Sequence, residues 1–177
     1  TALQITEHDV VVSWLPLYHD MGLIGKWLGS LYSGVPAVIM PPQSFLARPE
    51  RWLWNIHYHR GSISAAPNFA YSYCALKIRD QQIEGLDLRC WRVAANGSEA
   101  IDPHIFRTFY QRFSHYGLSE TALSAVYGLA EATGAGAFSD IDSEQQYDRV
   151  DRDALLVEGL ATKATRESKQ TREFACC

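Results

Sequence analysis

Five short apolar runs, each closed by a turn, constrain this chain more than anything else in it. They are VVVSW at 10–14, VPAVIM at 35–40, ISAA at 63–66, WRVA at 91–94 and SAVY at 124–127. Unbroken apolar character with β-branched residues marks strands buried on both faces, as parallel strands are. The segments between them read as helices. Residues 21–32 form one, ending near Gly34, and Pro41-Pro42 closes the second strand. Behind Pro49, the run ERWLWNIHYHR sets Trp52, Leu53 and Ile56 on one side until Gly61. Asn68 can cap a helix through Tyr71, Cys74, Ala75 and Ile78, and Asp102-Pro103 starts another that reaches about Phe113. Strand and helix in alternation predict an α/β fold, a mostly parallel sheet covered by helices.

Parallel sheets collect ligands beyond the carboxyl ends of their strands. Those ends hold the unusual residues: Tyr18-His19-Asp20, Pro67-Asn68, Asn96-Gly97-Ser98-Glu99 and Tyr127-Gly128-Leu129-Ala130-Glu131. His19 can orient a carboxylate or line an acyl tunnel; equally, it is a loop histidine paired with Asp20 or a backbone carbonyl. The Asn96-Gly97-Ser98-Glu99 loop can meet a purine edge or a ribose, or be a plain strand-to-helix turn. An aromatic such as Tyr127 can lie flat against a base, Gly128 lets the backbone pass close to a ligand, and Glu131 can hold a divalent cation beside phosphate. Against this stands a turn with a solvated glutamate.

Several function classes fall away. No G-x-x-x-x-G-K-[ST], G-x-G-x-x-G or G-x-S-x-G string is present. The other histidines (His8, His57, His59, His104 and His115) are scattered without metal-ligand spacing, and the net charge of −4 with no Lys/Arg run gives no nucleic-acid footprint. No apolar run approaches the roughly 20 residues of a membrane span. With 47% hydrophobic and 20% charged residues, the 177-residue chain is globular, one domain or a sizeable piece of one. Its four cysteines lack disulfide or zinc spacing, which points to a reducing, cytoplasmic setting. Beyond Gly134 the sequence turns polar and weakly periodic, reading as a surface excursion or flexible extension that ends in REFACC, the start of a further strand.

DVVVSWLPLYHDMGLIG, SAAPNFAY, WRVAANGSEAI and VYGLAEAT, in this order, resemble the fatty acyl-AMP ligases of the adenylate-forming superfamily. The resemblance covers residues 8–133 closely. It implies that 1–133 is the central α/β part of an AMP-binding adenylation domain and that 134–177 is an insertion-like segment with the start of a strand. It implies ATP and Mg²⁺ as cofactors, a fatty acid as substrate, and transfer of the acyl group to the phosphopantetheine thiol of a carrier protein. By the same resemblance, His19 sits beside the acyl carboxylate and Asn68 and Phe69 line the acyl side. Asn96, Gly97, Ser98 and Glu99 run along the adenine, Tyr127 stacks on the base, Gly128 admits the nucleotide, and Glu131 holds Mg²⁺. Ala130 stands where coenzyme A-using relatives often carry threonine. The family's phosphate loop is expected before Thr1, and its ribose-binding aspartate and catalytic lysine beyond Cys177, so this piece alone is expected not to complete turnover. A piece of a fatty acyl-CoA synthetase, or a non-catalytic interaction module, are the alternatives.

Overall fold

The computed structural model describes residues 3–166 and 168–177. Six strands form one sheet in the order β2-β1-β3-β4-β5-β6. They are β1 (Val11–Ser13), β2 (Ala37–Ile39), β3 (Ile63–Ala66), β4 (Val93–Asn96), β5 (Leu123–Leu129) and β6 (Gly134–Phe138). β1 to β5 pair in parallel, and β6 returns antiparallel along β5. The α/β expectation therefore holds, with one antiparallel strand at the end. After β2 the chain crosses β1 to place β3 on its other side, the kind of reversal beside which such sheets bind ligands at the strands' carboxyl ends.

Three helical segments and one strand differ from the sequence reading. The helix expected over 21–32 is α1 (Asp20–Gly22), a π-helical stretch Leu23–Leu28, and α2 (Gly29–Ser33). An unforeseen α3 (Pro42–Ala47) follows β2, because Pro42 stands in its first turn, where a missing N–H costs nothing. In α5 (Asn68–Lys77), Pro67 takes the cap position and Asn68 is the first helical residue. The fourth strand ends at Asn96, two residues later than its apolar run, so Asn96 belongs to the sheet. α4 (Glu50–Tyr58) and α6 (Pro103–Phe113) match, the latter with Asp102 Oδ1 accepting from the His104 N–H at 2.9 Å.

The polar stretch after Gly134 is not a loose extension. It supplies β6 and then β7 (Tyr147–Asp151) and β8 (Thr171–Ala175), which pair with each other antiparallel. Gln145 holds this end to the main sheet: its Oε1 accepts from Ala125 N at 2.8 Å and its Nε2 donates to Cys176 O at 2.7 Å.

Aromatic rings fill the core. Trp52, Trp91, Tyr71, Phe106, Phe109 and Phe113 are fully buried, and the rings of Trp52, Tyr71, Trp91 and Phe109 meet edge to face. Their polar tips are partnered, Trp52 Nε1 donating to Ser64 Oγ at 2.9 Å and Tyr71 Oη to Ala95 O at 2.7 Å. β2 is different: it lies at the sheet edge with Ala37 and Ile39 exposed, and Trp27, Leu28, Leu31 and Tyr32 of the preceding helical segment are exposed too.

At the amino ends of the strands, buried Asp9 takes both prongs of Arg92, Nε at 2.9 Å and Nη2 at 2.8 Å, together with Ser62 Oγ at 2.6 Å and Thr6 N at 2.8 Å. Burial alone would raise this carboxyl. The Arg92, Ser62 and Thr6 hydrogen bonds outweigh it and hold Asp9 well below the usual carboxylate range. A depressed carboxyl contributes its full stability above its unfolded value of about 4 and loses it as pH falls toward the folded value. Asp9→Asn should cost about 3 kcal/mol in urea unfolding at neutral pH. It should also flatten the acid limb of a melting-temperature profile below about pH 4 relative to the parent chain.

Candidate functional site

Because β1, β3, β4 and β5 run parallel, the residues singled out in the sequence come to one edge of the sheet. His19 follows β1 at the cap position of α1, Asn68 and Phe69 open α5 behind β3, and Gly97–Glu99 leave the end of β4 (97–99). Tyr127 and Gly128 lie within β5, and Glu131 sits on the turn into β6. A cavity of about 70 Å³ opens among three of these loops, lined by Asp20, Met21 and Gly25, by Gly97 and Ser98, and by Val126, Gly128, Gly134 and Ala135. His19, Asn68, Phe69, Tyr127 and Glu131 stand outside that lining. Met21, Gly25, Val126, Gly134 and Ala135 were not foreseen, because plain apolar residues in a helix or strand carry no chemical signal.

His19 Nδ1 lies 2.7 Å from Asp20 Oδ1. The Met21 N–H points at both, at 2.8 Å from Asp20 Oδ1 and 3.2 Å from His19 Nδ1. Nδ1 cannot donate to one and accept from the other, and the shorter contact, with a carboxylate, assigns the proton to Nδ1. The ring is thereby oriented and half exposed, and its Nε2 has no hydrogen bond among the described residues.

The loop after β4 is gripped by Asn68. Its Nδ2 donates to Ala100 O at 2.8 Å, its Oδ1 accepts from Asn96 Nδ2 at 2.8 Å, and its backbone N–H reaches Glu99 Oε1 at 3.1 Å. The bond to Ala100 fixes which way the Asn68 amide faces, and this fixes Asn96 in turn. Asn96 Oδ1 is left buried without a donor, a state that costs about 1–3 kcal/mol. Between the gripped ends, Ser98 sits in the left-handed region at φ 73°. Gly97 packs so tightly that a Cβ would lie 2.6 Å from Val126 O.

Gly128 is also a close approach, but to β6: a Cβ there would run into Gly134 O and Ala135. The register shifts between Tyr127 and Gly128, so a bulge stands beside the Tyr127 ring, which is 63% exposed. Glu131 is exposed, with no hydrogen bond or ion pair among the described residues. No group of three His, Cys, Asp or Glu among the described residues could cage a metal. A lone free carboxylate fits a cation shared with phosphate oxygens, since Mg²⁺ is held by one or two carboxylates plus substrate phosphates.

Two residues that sequence reasoning passed over stand close by. Trp14 ends the first apolar run, stacks on Phe45 at 4.1 Å and meets the half-exposed Phe69 edge-on at 5.9 Å, an aromatic wall joining the end of β1 to the start of α5. Lys26, next to Gly25, is buried without a partner among the described residues, and burial pulls its amine down to about 8. Its helical segment shows a lysine in an apolar run, the one signal available.

The model of the AMP-binding enzyme family matches residues 1–157. A medium-chain-fatty-acid–[acyl-carrier-protein] ligase, TtuA of Teredinibacter turnerae, is 40% identical over 97% of this chain and 26% of its own length. A putative acyl-CoA synthetase of Caulobacter vibrioides is 35% identical over 99% of this chain and 31% of its own. A solved structure from work on fatty acyl-adenylate ligases of E. coli and L. pneumophila superposes with TM-score 0.96 at 35% identity, covering 99% of this chain and 32% of that one. The chain thus spans about a quarter to a third of the relatives it matches.

The two glycines of the β5–β6 pairing make a test of this geometry. Gly128→Ala should destabilise the chain by about 1–3 kcal/mol through overpacking. Gly136→Ala, where a Cβ meets nothing within 4 Å, should leave the melting temperature nearly unchanged.

Proposed function

The chain belongs to the AMP-binding enzyme family, and on that premise we propose that it is the central part of a ligase that activates a fatty acid with ATP and passes the acyl group to a carrier-protein thiol. One observation carries the reading: four loops with the residue types adenylation requires converge on one edge of a parallel sheet. In the first reaction a fatty carboxylate attacks the α-phosphorus of ATP. A new acyl O–P bond forms, the bridging P–O bond to the β-phosphate breaks, and pyrophosphate leaves. In the second, the phosphopantetheine sulfur attacks the acyl carbonyl carbon, and AMP departs with the acyl oxygen.

Each residue has a task in this reading. His19, held by Asp20 through Nδ1, presents Nε2 to the fatty carboxylate when the ring is protonated. Phe69 and Trp14 offer an aromatic wall to the acyl chain. The loop of Asn96, Gly97, Ser98 and Glu99 runs along the adenine, and the exposed Tyr127 ring stacks on it. Gly128 keeps the backbone slim where the nucleotide passes. Glu131 would hold Mg²⁺ together with the phosphates, where a bound ion would supply neutralisation of developing negative charge. The reaction takes place in the cytoplasm; among the described residues no helix is long and apolar enough to cross a membrane. Coenzyme A as the acceptor is a second reading, favoured by the likeness to a putative acyl-CoA synthetase. Ala130, where coenzyme A-using relatives often carry threonine, leans the other way.

The full-length protein, incubated with ATP, Mg²⁺ and a fatty acid, should form acyl-AMP detectable by mass spectrometry. Glu131→Ala should slow its formation about a hundredfold or more, and His19→Ala should do so to a lesser degree. Loading of a phosphopantetheine-bearing carrier protein in preference to coenzyme A supports the hand-off; the reverse preference selects the second reading. Absence of any ATP-dependent acyl-AMP overturns the proposal.

A further inference from the structure

We propose that Asn68 is a positioning residue for the nucleotide: it holds the 96–100 loop in a strained shape that the loop would not keep by itself. The inference rests on the adenylating reading above and departs from the expectation that Asn68 lines the acyl side. Three observations carry it. The first is that the Asn68 amide has other work. It is 8% exposed, it does not cap its own helix, and its polar atoms go to Asn96 and Ala100. The second is where the grip falls. Asn68 holds residues 96, 99 and 100, and the two residues between them, Gly97 and Ser98, are the ones that line the cavity.

The third is the strain. Ser98 carries a side chain at φ 73°, a conformation L residues seldom adopt without support, and among the described residues its Oγ has only a 3.8 Å contact with Met21 Sδ. Gly97 is pressed on Val126 O from the other side. A loop strained at its middle and clamped at both ends relaxes once a clamp is removed. A nucleotide must then pay to restore the shape before it binds. Among the described residues, Asn68 is the one side chain from outside the loop that hydrogen-bonds it at both ends, so it governs nucleotide affinity without touching the ligand.

The test uses the full-length protein. Asn68→Ala should raise the KM for ATP about tenfold, equivalent to roughly 1.4 kcal/mol of nucleotide affinity. The KM for the fatty acid should stay within about twofold. Ser98→Gly, which accepts φ 73° without strain, should recover much of that ATP affinity in the Asn68→Ala background. Amide exchange at residues 97–99 should be faster in Asn68→Ala than in the parent protein while the middle of α5 is unchanged. This readout needs no turnover, so it judges the clamp even if the parent protein makes no acyl-AMP, a result that would instead sink the adenylating reading. A rise in fatty-acid KM with ATP unaffected would return Asn68 to the acyl side and overturn the proposal. So would unaltered exchange at 97–99, or a uniform loss of every parameter in step with the melting temperature.

Discussion

The register of the sheet depends on one buried carboxylate. Asp9 precedes β1, Ser62 precedes β3 and Arg92 precedes β4, and the three side chains meet through hydrogen bonds of 2.6 to 2.9 Å. The neighbouring backbone repeats the tie: Ser62 N donates to Val10 O, and Arg92 N and Val93 N both donate to Ser62 O. Parallel strands have no hairpin to set their alignment. In this chain a forked guanidinium does it, at the end of the sheet away from the site. A shift of one residue in any of the three strands would turn its side chains to the opposite face.

With that register fixed, the carboxyl ends of β1, β3, β4 and β5 have no freedom to drift apart, and the chemistry-bearing residues arrive together although the sequence scatters them from His19 to Glu131. Rigidity is then refined locally. Asp20 orients the His19 ring, Asn68 holds the loop after β4, and the bulge beside Gly128 sets Tyr127 outward. Two glycines attributed to ligand approach serve backbone packing as well, Gly97 against β5 and Gly128 against β6. One residue type meets both demands, since a slim backbone is what a neighbouring strand and an incoming ligand each require.

The sequence made the five parallel strands, and the edge to which the candidate residues come, legible, because β-branched runs and glycine-rich turns are local signals. What escaped it was decided by contacts across the fold. GAGAF has almost no strand-forming residue, yet it pairs as β6 since Gly128 lets the two backbones close. Asn68 reads as a helix cap on composition, but Asn96 and Ala100 claim its amide and Pro67 takes the cap. Pro41-Pro42 marks the end of a strand correctly while concealing that Pro42 begins a helix. Ser98 in a left-handed conformation has no sequence signal at all; a glycine or asparagine would have given it away.

β2 offers a different kind of consequence. Its apolar residues, with the exposed Trp27, Leu28, Leu31 and Tyr32 nearby, leave the sheet with a greasy border that Pro36, Pro41 and Pro42 flank but do not interrupt. For anyone handling this chain, such a border acts as a seam. Molecules that meet there find both hydrogen-bond partners and apolar area in each other, so crowding is the variable to control, and yield from a dilute preparation will not scale to a concentrated one.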